Sequence, residues 1–367
     1  MNQSRFKKLV SDVSGDWVAN TLRFLLNVLA VFYEIGIALR NWLYDKRLAK
    51  SYAVTSAGLK TTDRTQATVP VLSIGNITVG GTGKTPLVIW LVRYLAKQCR
   101  PAILTRGYKS KQGISDEASL LARAYPRIPV IINPDRIKGA NEAVAQGANV
   151  LVMDDGFQHR RLARDLDIIA IDATCPFGYG RLLPAGLLRE PLRSLKRADA
   201  VIITRADQAE KNRLNEIERT VKAIKPSLVV ATAIHKPVSL VDNHGAELQL
   251  TYIKNKKVFT FCGIGNPDAF LSTLKSLGAT VAGSAFYEDH YHYSKADIEQ
   301  LAANTKATNA DLALTTEKDF SKIDPAWPKN LSVDFSYLAV EIELRSGAER
   351  ITQLINNAIA GKISTSS

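Results

Sequence analysis

The sequence predicts an α/β protein: a doubly wound, mainly parallel sheet, followed by a second, smaller α/β domain and preceded by an N-terminal interfacial helix. Three observations carry this expectation. Short, wholly apolar runs such as Val71-Leu-Ser-Ile and Val150-Leu-Val-Met alternate with helical patterns from residue 70 onward, as parallel strands buried on both faces require. A glycine-rich turn, Gly80-Gly81-Thr82-Gly83-Lys84-Thr85, stands between one such strand and a helix. A polar, turn-rich stretch at 236–257 then separates the first βα series from a second.

The first series continues with a helix over Pro86 to Leu95, a strand at Ala102-Ile-Leu-Thr, a helix from about Asp116 and a strand at Val130-Ile-Ile. A helix from Arg136 and strands at Val150-Leu-Val-Met, Ile168-Ile-Ala-Ile and Val201-Ile-Ile-Thr follow. Right-handed crossovers turn such a series into a doubly wound sheet. The second series runs through Val258-Phe-Thr-Phe, a helix from Pro267, a strand near Val281, a helix from Ser294 and Leu312-Ala-Leu-Thr. An amphipathic helix at 346–361 closes the chain. The expected divisions are 1–50 for the N-terminal helix region, 51–235 for the first domain, 236–257 for a hinge, 258–340 for the second domain, and 341–367 for the closing helix and tail.

With 367 residues, 46% of them hydrophobic, the chain has enough apolar surface for two cores. The formal net charge of +13 points to an acidic partner: nucleic acid, an anionic membrane surface or a phosphorylated substrate. Cys99, Cys175 and Cys262 fit no zinc or redox spacing and read as reduced, mostly buried thiols of a cytosolic protein.

Residues 22–39 are rich in Leu, Phe, Val and Ile, yet the uncharged core Phe24 to Tyr33 is only ten residues long, against about 20 for a bilayer span. No small-residue cleavage site follows. Across residues 1–50 there are eight Lys/Arg against four Asp/Glu, a balance suited to an anionic leaflet. Taken alone, this segment fits an interfacial helix and a helix packed on the protein's own core equally well.

The turn at Gly80–Thr85 is a P-loop. Its backbone N–H groups cradle phosphates, Lys84 reaches the β and γ oxygens, and the Thr85 hydroxyl binds Mg²⁺. Gly80, Gly81 and Gly83 keep side chains out of the way while Thr82 completes the turn, and the following helix adds its positive N-terminus. The general pattern asks for glycine five residues before Gly83, where this chain has Thr78. A second strand ending in acid, Val150-Leu-Val-Met-Asp154-Asp155, supplies carboxylates for Mg²⁺ at the sheet's carboxyl edge. The fold class is therefore that of the P-loop NTPases.

Several segments together resemble the tetraacyldisaccharide 4'-kinase family, which phosphorylates a lipid A precursor. They are Ser73-Ile-Gly-Asn-Ile-Thr-Val-Gly-Gly-Thr-Gly-Lys-Thr, Thr105-Arg-Gly-Tyr, Asp154-Asp-Gly-Phe-Gln-His-Arg-Arg-Leu-Ala-Arg-Asp, Leu182-Leu-Pro-Ala-Gly-Leu-Leu-Arg-Glu-Pro-Leu, Asp289-His-Tyr-His-Tyr and Thr315-Thr-Glu-Lys-Asp. Asn41-Trp-Leu-Tyr-Asp-Lys is also similar, and Thr78 is part of the family pattern. The resemblance implies ATP- and Mg²⁺-dependent transfer of the γ-phosphate to the 4'-hydroxyl of tetraacyldisaccharide 1-phosphate, giving lipid IVA. It implies a monomer without nucleic-acid partners, held peripherally on the cytoplasmic face of a bacterial inner membrane by its N-terminal helix.

Family roles carry over by position. The base corresponds to Asp116, although Ser115-Asp116-Glu117-Ala118 lacks the family's flanking glycine and proline, which keeps Glu117 open as an alternative. Its partner corresponds to His290, with His292 as the rival. Such a histidine would orient the carboxylate when the domains close. Substrate or phosphate contacts are expected from Glu117, Arg136, Gln158, His159, Arg189 and Glu190. Two other classes compete: a partition-type or metal-chaperone ATPase, and a non-enzymatic membrane scaffold. The ATPases carry a lysine where this chain has Val79, and a scaffold has no need of Lys84, Thr85, Asp154 and Asp155 together.

Overall fold

The computed structural model describes residues 17–55, 58–61, 69–107, 121–122, 126–289, 291–329, 331–360 and 362. Asp116, Glu117 and His290 lie outside the described residues, as does the start of the helix expected from Asp116. The chain divides into two compact units, one of residues 1–234 and 344–367 and the other of residues 235–343.

The first unit begins with helix α1 (Trp17–Asp45). Strands β1 (Tyr52–Thr55) and β2 (Gly58–Thr61) form an antiparallel pair. The main sheet follows in chain order: β3 (Val71–Gly75), helix α2 (Lys84–Leu95), β4 (Pro101–Thr105), β5 (Val130–Ile132), helix α3 (Arg136–Ala145), β6 (Val150–Asp154), β7 (Leu166–Asp172), β8 (Ala200–Thr204), helix α4 (Lys211–Ile224) and β9 (Val229–Asp242). Spatially the strands run β5-β4-β6-β3-β7-β8-β9, each pair parallel. The P-loop strand β3 is thus central, flanked by β6 and β7.

Burial explains the wholly apolar strands. Every residue of β3, β4, β6, β7 and β8 is buried, because helices cover both faces. Ala140 and Ala143 of α3 pack on Ala102, Leu104, Leu151 and Met153. Ile217 and Val221 of α4 pack on Ile169, Ile171, Val201 and Ile203. Alternate side chains, among them Leu72, Ile74, Ile103 and Val152, are equally buried, and α2 lies against β3, β4 and β6. Gly75 at the end of β3 allows the closest approach in this region: a Cβ there would stand 2.5 Å from Cβ of Phe157. The chain after β6 is thereby drawn tightly against the P-loop strand.

The second unit takes in the remainder of β9, then β10 (Glu247–Leu248), β11 (Lys257–Cys262), helix α5 (Pro267–Ser276), β12 (Thr280–Phe286), helix α6 (Lys295–Ala307), β13 (Leu312–Thr316) and most of β14 (Phe335–Ser346). Its strand order is β12-β11-β13-β14-β9, with β10 antiparallel on β9. Phe270 and Leu274 of α5 pack on one cluster with Val258, Leu312 and Leu338; Ile298 and Leu301 of α6 pack on another with Phe261 and Phe335. Ser294 caps α6 through a reciprocal pair with Asp297, which is why that helix is legible from its first residue. Helix α7 (Ala348–Ile359) follows β14 and belongs to the first unit.

Three expectations change. The stretch at 236–257 contains the second half of β9, β10 and a 3-10 turn at Leu250–Ile253; its hinge-like texture comes from a local turn in which Asp242 accepts from the N–H groups of His244 and Ala246. Of the three cysteines, all free thiols, only Cys262 is buried, while Cys99 and Cys175 are half-buried. The apolar N-terminal helix is 29 residues long, longer than the ten-residue uncharged core suggests, and meets the length and composition of a bilayer span.

Candidate active site

The phosphate loop owes its shape to glycines in left-handed conformations. Gly80 has φ +111° and Gly83 φ +79°, values that L side chains adopt only with strain. Gly83 is also the N-cap of α2, so the first turn of that helix is Lys84-Thr85-Pro86, with proline near the start where its missing N–H costs nothing.

Lys84 meets a carboxylate. Its Nζ lies 3.2 Å from Oδ1 of Asp155, the residue immediately after β6. Asp155 adopts φ +53°, a left-handed conformation that Asp tolerates better than most residues. Arg189 donates to both oxygens of the same carboxylate, at 2.7 and 3.0 Å. Burial would push the Asp155 carboxyl up, but the Lys84 ammonium and the Arg189 guanidinium outweigh it and hold it down at about 2. At neutral pH this is one anion between two cations.

Asp154, the last residue of β6, is buried, and its carbonyl accepts from Nη2 of Arg136 at 3.1 Å. Arg136 is itself buried and begins α3 behind the capping side chain of Asp135. Burial lowers its guanidinium to about 10, with the nearby Asp154 and Asp155 charges opposing, so it remains a cation facing the carboxylates. Gln158 donates to the Asn76 carbonyl at 2.9 Å. His159 is pressed down to about 4 by burial and by Arg136, Arg164 and Arg161, and is neutral at pH 7. Lys84, Asp154, Asp155, Arg136 and Arg189 are thus brought together, and Gln158 and His159 follow on the same turn.

Glu190 is different. It is fully buried, with Oε2 accepting from Arg197 at 2.9 Å and Asn41 at 3.0 Å, and Oε1 from Arg40 at 3.3 Å. A carboxylate so enclosed holds α1 against the rest of the first unit. The same face of α1 adds Tyr33 Oη on the Arg189 carbonyl at 2.9 Å and Arg160 on Asp45 at 2.6 Å. In the second unit, His292 is exposed, and the Thr316 hydroxyl caps the helical turn Glu317–Phe320.

The reading from sequence missed a second layer behind the loop: Asn76, Asp172, Thr204 and Arg205. Asn76 donates to the Thr82 hydroxyl at 3.1 Å, Thr204 to the Thr82 carbonyl at 2.9 Å, and Arg205 to the Gly81 carbonyl at 2.9 Å. The one available signal was the polar ending, Asp172 and Thr204-Arg205, of two apolar strands.

Among the described residues, no group of three or more His, Cys, Asp or Glu side chains gathers as a metal site. Mg²⁺ typically takes one or two carboxylates and completes its shell with water and substrate phosphates. Thr85, Asp154 and Asp155 fit that demand.

A glycine loop at the carboxyl end of a central parallel strand, backed by a lysine and a strand-end carboxylate pair, defines a P-loop phosphotransferase. The family is narrower than that class. Residues 22–360 match the model of the tetraacyldisaccharide-1-P 4'-kinase (LpxK) family, and the chain belongs to it. It is 35% identical to the tetraacyldisaccharide 4'-kinase of Syntrophus aciditrophicus, over 94% of this chain and 95% of that relative. The Halothermothrix orenii enzyme of the same description is 34% identical, over 91% and 92%. Among solved structures, LpxK from Aquifex aeolicus in complex with ATP superposes with a TM-score of 0.67 at 29% identity, covering 92% of this chain and 99% of that one.

Proposed function

We infer that this protein transfers the γ-phosphate of ATP to the 4'-hydroxyl of a tetraacylated glucosamine disaccharide 1-phosphate, giving lipid IVA. The observation that carries the chemistry is the Lys84–Asp155–Arg189 cluster at the mouth of the glycine loop. Lys84 exchanges its carboxylate partner for the β and γ phosphates as ATP binds, and Arg189 stays as a second cation for charge on the transferring group. Thr85 and Asp154 would hold Mg²⁺, with Asp155 released to join them; the ion neutralises phosphate charge. Arg136, from behind the carboxylates, keeps the local field positive. Neutral His159 and Gln158 offer hydrogen bonds without adding charge.

Proton removal from the acceptor hydroxyl is assigned to Asp116, with His290 as its partner, on the strength of the family resemblance alone. Purified protein incubated with ATP, Mg²⁺ and the disaccharide 1-phosphate in detergent should yield a bisphosphorylated lipid. ATP hydrolysis indifferent to lipid, with no such product, would sink the kinase reading in favour of an ATPase. Asp116→Ala is expected to lose about 10²-fold in kcat with ATP binding kept. If Glu117→Ala is the crippling change, the base has been misassigned.

Membrane association is the second part of the proposal. Phe24 and Phe32 of α1 are each 67% exposed, and Trp17, Leu25, Leu29 and Ile35 are exposed beside them. Apolar patches of this size on a soluble protein mark an interaction surface. From Tyr33 onward the helix is hydrogen-bonded sideways to polar groups of the first unit, which favours a helix lying in the interface over one that crosses. The basic excess of the chain suits the anionic cytoplasmic leaflet. Deletion of residues 1–45 should move the protein from membrane to soluble fractions, and unchanged membrane recovery would refute the assignment.

A further inference from the structure

A phosphate loop works only while its peptide units face the right way. In a trans peptide the C=O and the following N–H point in opposite directions, so anchoring a carbonyl from behind also aims the next N–H. The Thr82 carbonyl accepts from Oγ1 of Thr204 at 2.9 Å, which turns the Gly83 N–H to the side of the loop away from β8. The Gly81 carbonyl accepts from Nη1 of Arg205 at 2.9 Å, and the Thr82 N–H of the same peptide donates to the Gly80 carbonyl at 3.0 Å. Gly81 before the first of these peptides and Gly83, at positive φ, after the second otherwise allow them to flip at little steric cost.

Arg205 is in turn fixed. Its Nη1 also donates to Oδ2 of Asp172, at the end of β7, and the other carboxylate oxygen accepts from the Thr174 N–H at 3.0 Å and the Thr174 hydroxyl at 2.7 Å. The side chains of Arg205 and Asp172 are only 12% and 8% exposed. Arg205 has a left-handed backbone, φ +53°, a conformation that costs free energy for a non-glycine residue and persists where surrounding contacts over-determine it.

We propose that Arg205 and Asp172 form a positioning pair that keeps the phosphate loop in its binding-competent form, with Thr204 as a second brace on the same loop. The proposal rests on ATP binding at Gly80–Thr85 and is independent of the acceptor's identity. A loop held competent only part of the time binds with an affinity reduced by that fraction. The pair therefore acts on ATP affinity and leaves the rate at saturation nearly alone.

The test is calorimetric titration of full-length protein in detergent with Mg²⁺ and a non-hydrolysable ATP analogue, alongside kcat at saturating ATP. Arg205→Ala should raise the Kd for the analogue at least about tenfold and leave kcat within about threefold of wild type. Asp172→Asn should move the Kd in the same direction, and the double variant should be no worse than Arg205→Ala, because the two residues act as one unit. Wild-type Kd in folded Arg205→Ala, or a lower kcat at unchanged Kd, would overturn the proposal. Should Arg205→Ala fail to fold, Arg205→Lys decides. A lysine nitrogen ends one bond short of Nη1 and lacks the planar guanidinium that holds that one nitrogen on both carbonyl and carboxylate, so a rise of at least about threefold supports the pair and wild-type Kd refutes it. A wild-type protein that binds the analogue but phosphorylates no lipid would refute the kinase reading and leave this inference standing.

Discussion

Lys84→Ala should lower kcat/KM for phosphotransfer by about 10³-fold, the upper range for removing one electrostatic donor from a transition state, while the protein remains folded. The ammonium is the only charge that α2 brings to the loop, and its partner Asp155 is retained by Arg189 in the variant. A preparation of Lys84→Ala keeping more than about a tenth of wild-type activity would contradict the role given to Lys84. The substitution also carries a pH signature. A carboxyl held below its unfolded value contributes stability that is present above the unfolded pKa and is lost as pH falls through the folded one. Asp155 is held at about 2, so its contribution is complete at neutral pH and disappears only in strong acid. Without Lys84 the folded value rises, and acid unfolding followed by circular dichroism should begin at a higher pH than in wild type.

The second large effect is structural. Glu190→Ala removes a fully buried anion from between Arg197, Arg40 and Asn41, leaving Arg197 half-enclosed against the ring of Phe157 at 4.4 Å. Breaking a buried pair by deleting one partner costs about 3–5 kcal/mol. The thermal midpoint should fall by well over the range of surface substitutions, and amide exchange in residues 33–45 of α1 should accelerate. Both observables at wild-type values would show that this carboxylate does not hold the helix. Burial pushes the Glu190 carboxyl up, but Arg197, the hydrogen bonds from Asn41 and Ser194, and Arg40 together bring it below its ordinary value. By the same sign argument its contribution is present at neutral pH and declines below about pH 4.

What could be read in the sequence was whatever rests on short-range pattern. Val71-Leu-Ser-Ile and Val150-Leu-Val-Met declared themselves as strands because both faces of the sheet are covered, so no polar residue interrupts them. The glycine loop was legible because its function fixes residue type at successive positions. The burial of Glu190 was not legible, because a charged residue beside Arg189 in a Leu-Arg-Glu-Pro segment gives no hint of it; its partners Arg40 and Asn41 lie 150 and 149 residues earlier. Arg205 and Asp172 were missed for a related reason: their meaning depends on β7 and β8 lying in order beside β3. The strand β9 escaped because Lys236 and Pro237 interrupt its apolar run, as they can on a strand that is only partly covered.

Helix α7 has a consequence for how the protein is made. It buries Ile351, Ile355 and Ile359 and is tied by Asn356 to Tyr94 of α2, yet residues 235–343, the whole of the other unit, precede it in the chain. During synthesis, a ribosome that has released every strand of the first unit's main sheet has still to translate roughly a hundred residues before the piece that seals it. At about 5–20 residues per second, the nascent kinase core spends several seconds with the apolar surface that Ile351, Ile355 and Ile359 cover left exposed to water. The second unit, whose sequence is continuous, is free to complete itself in that interval.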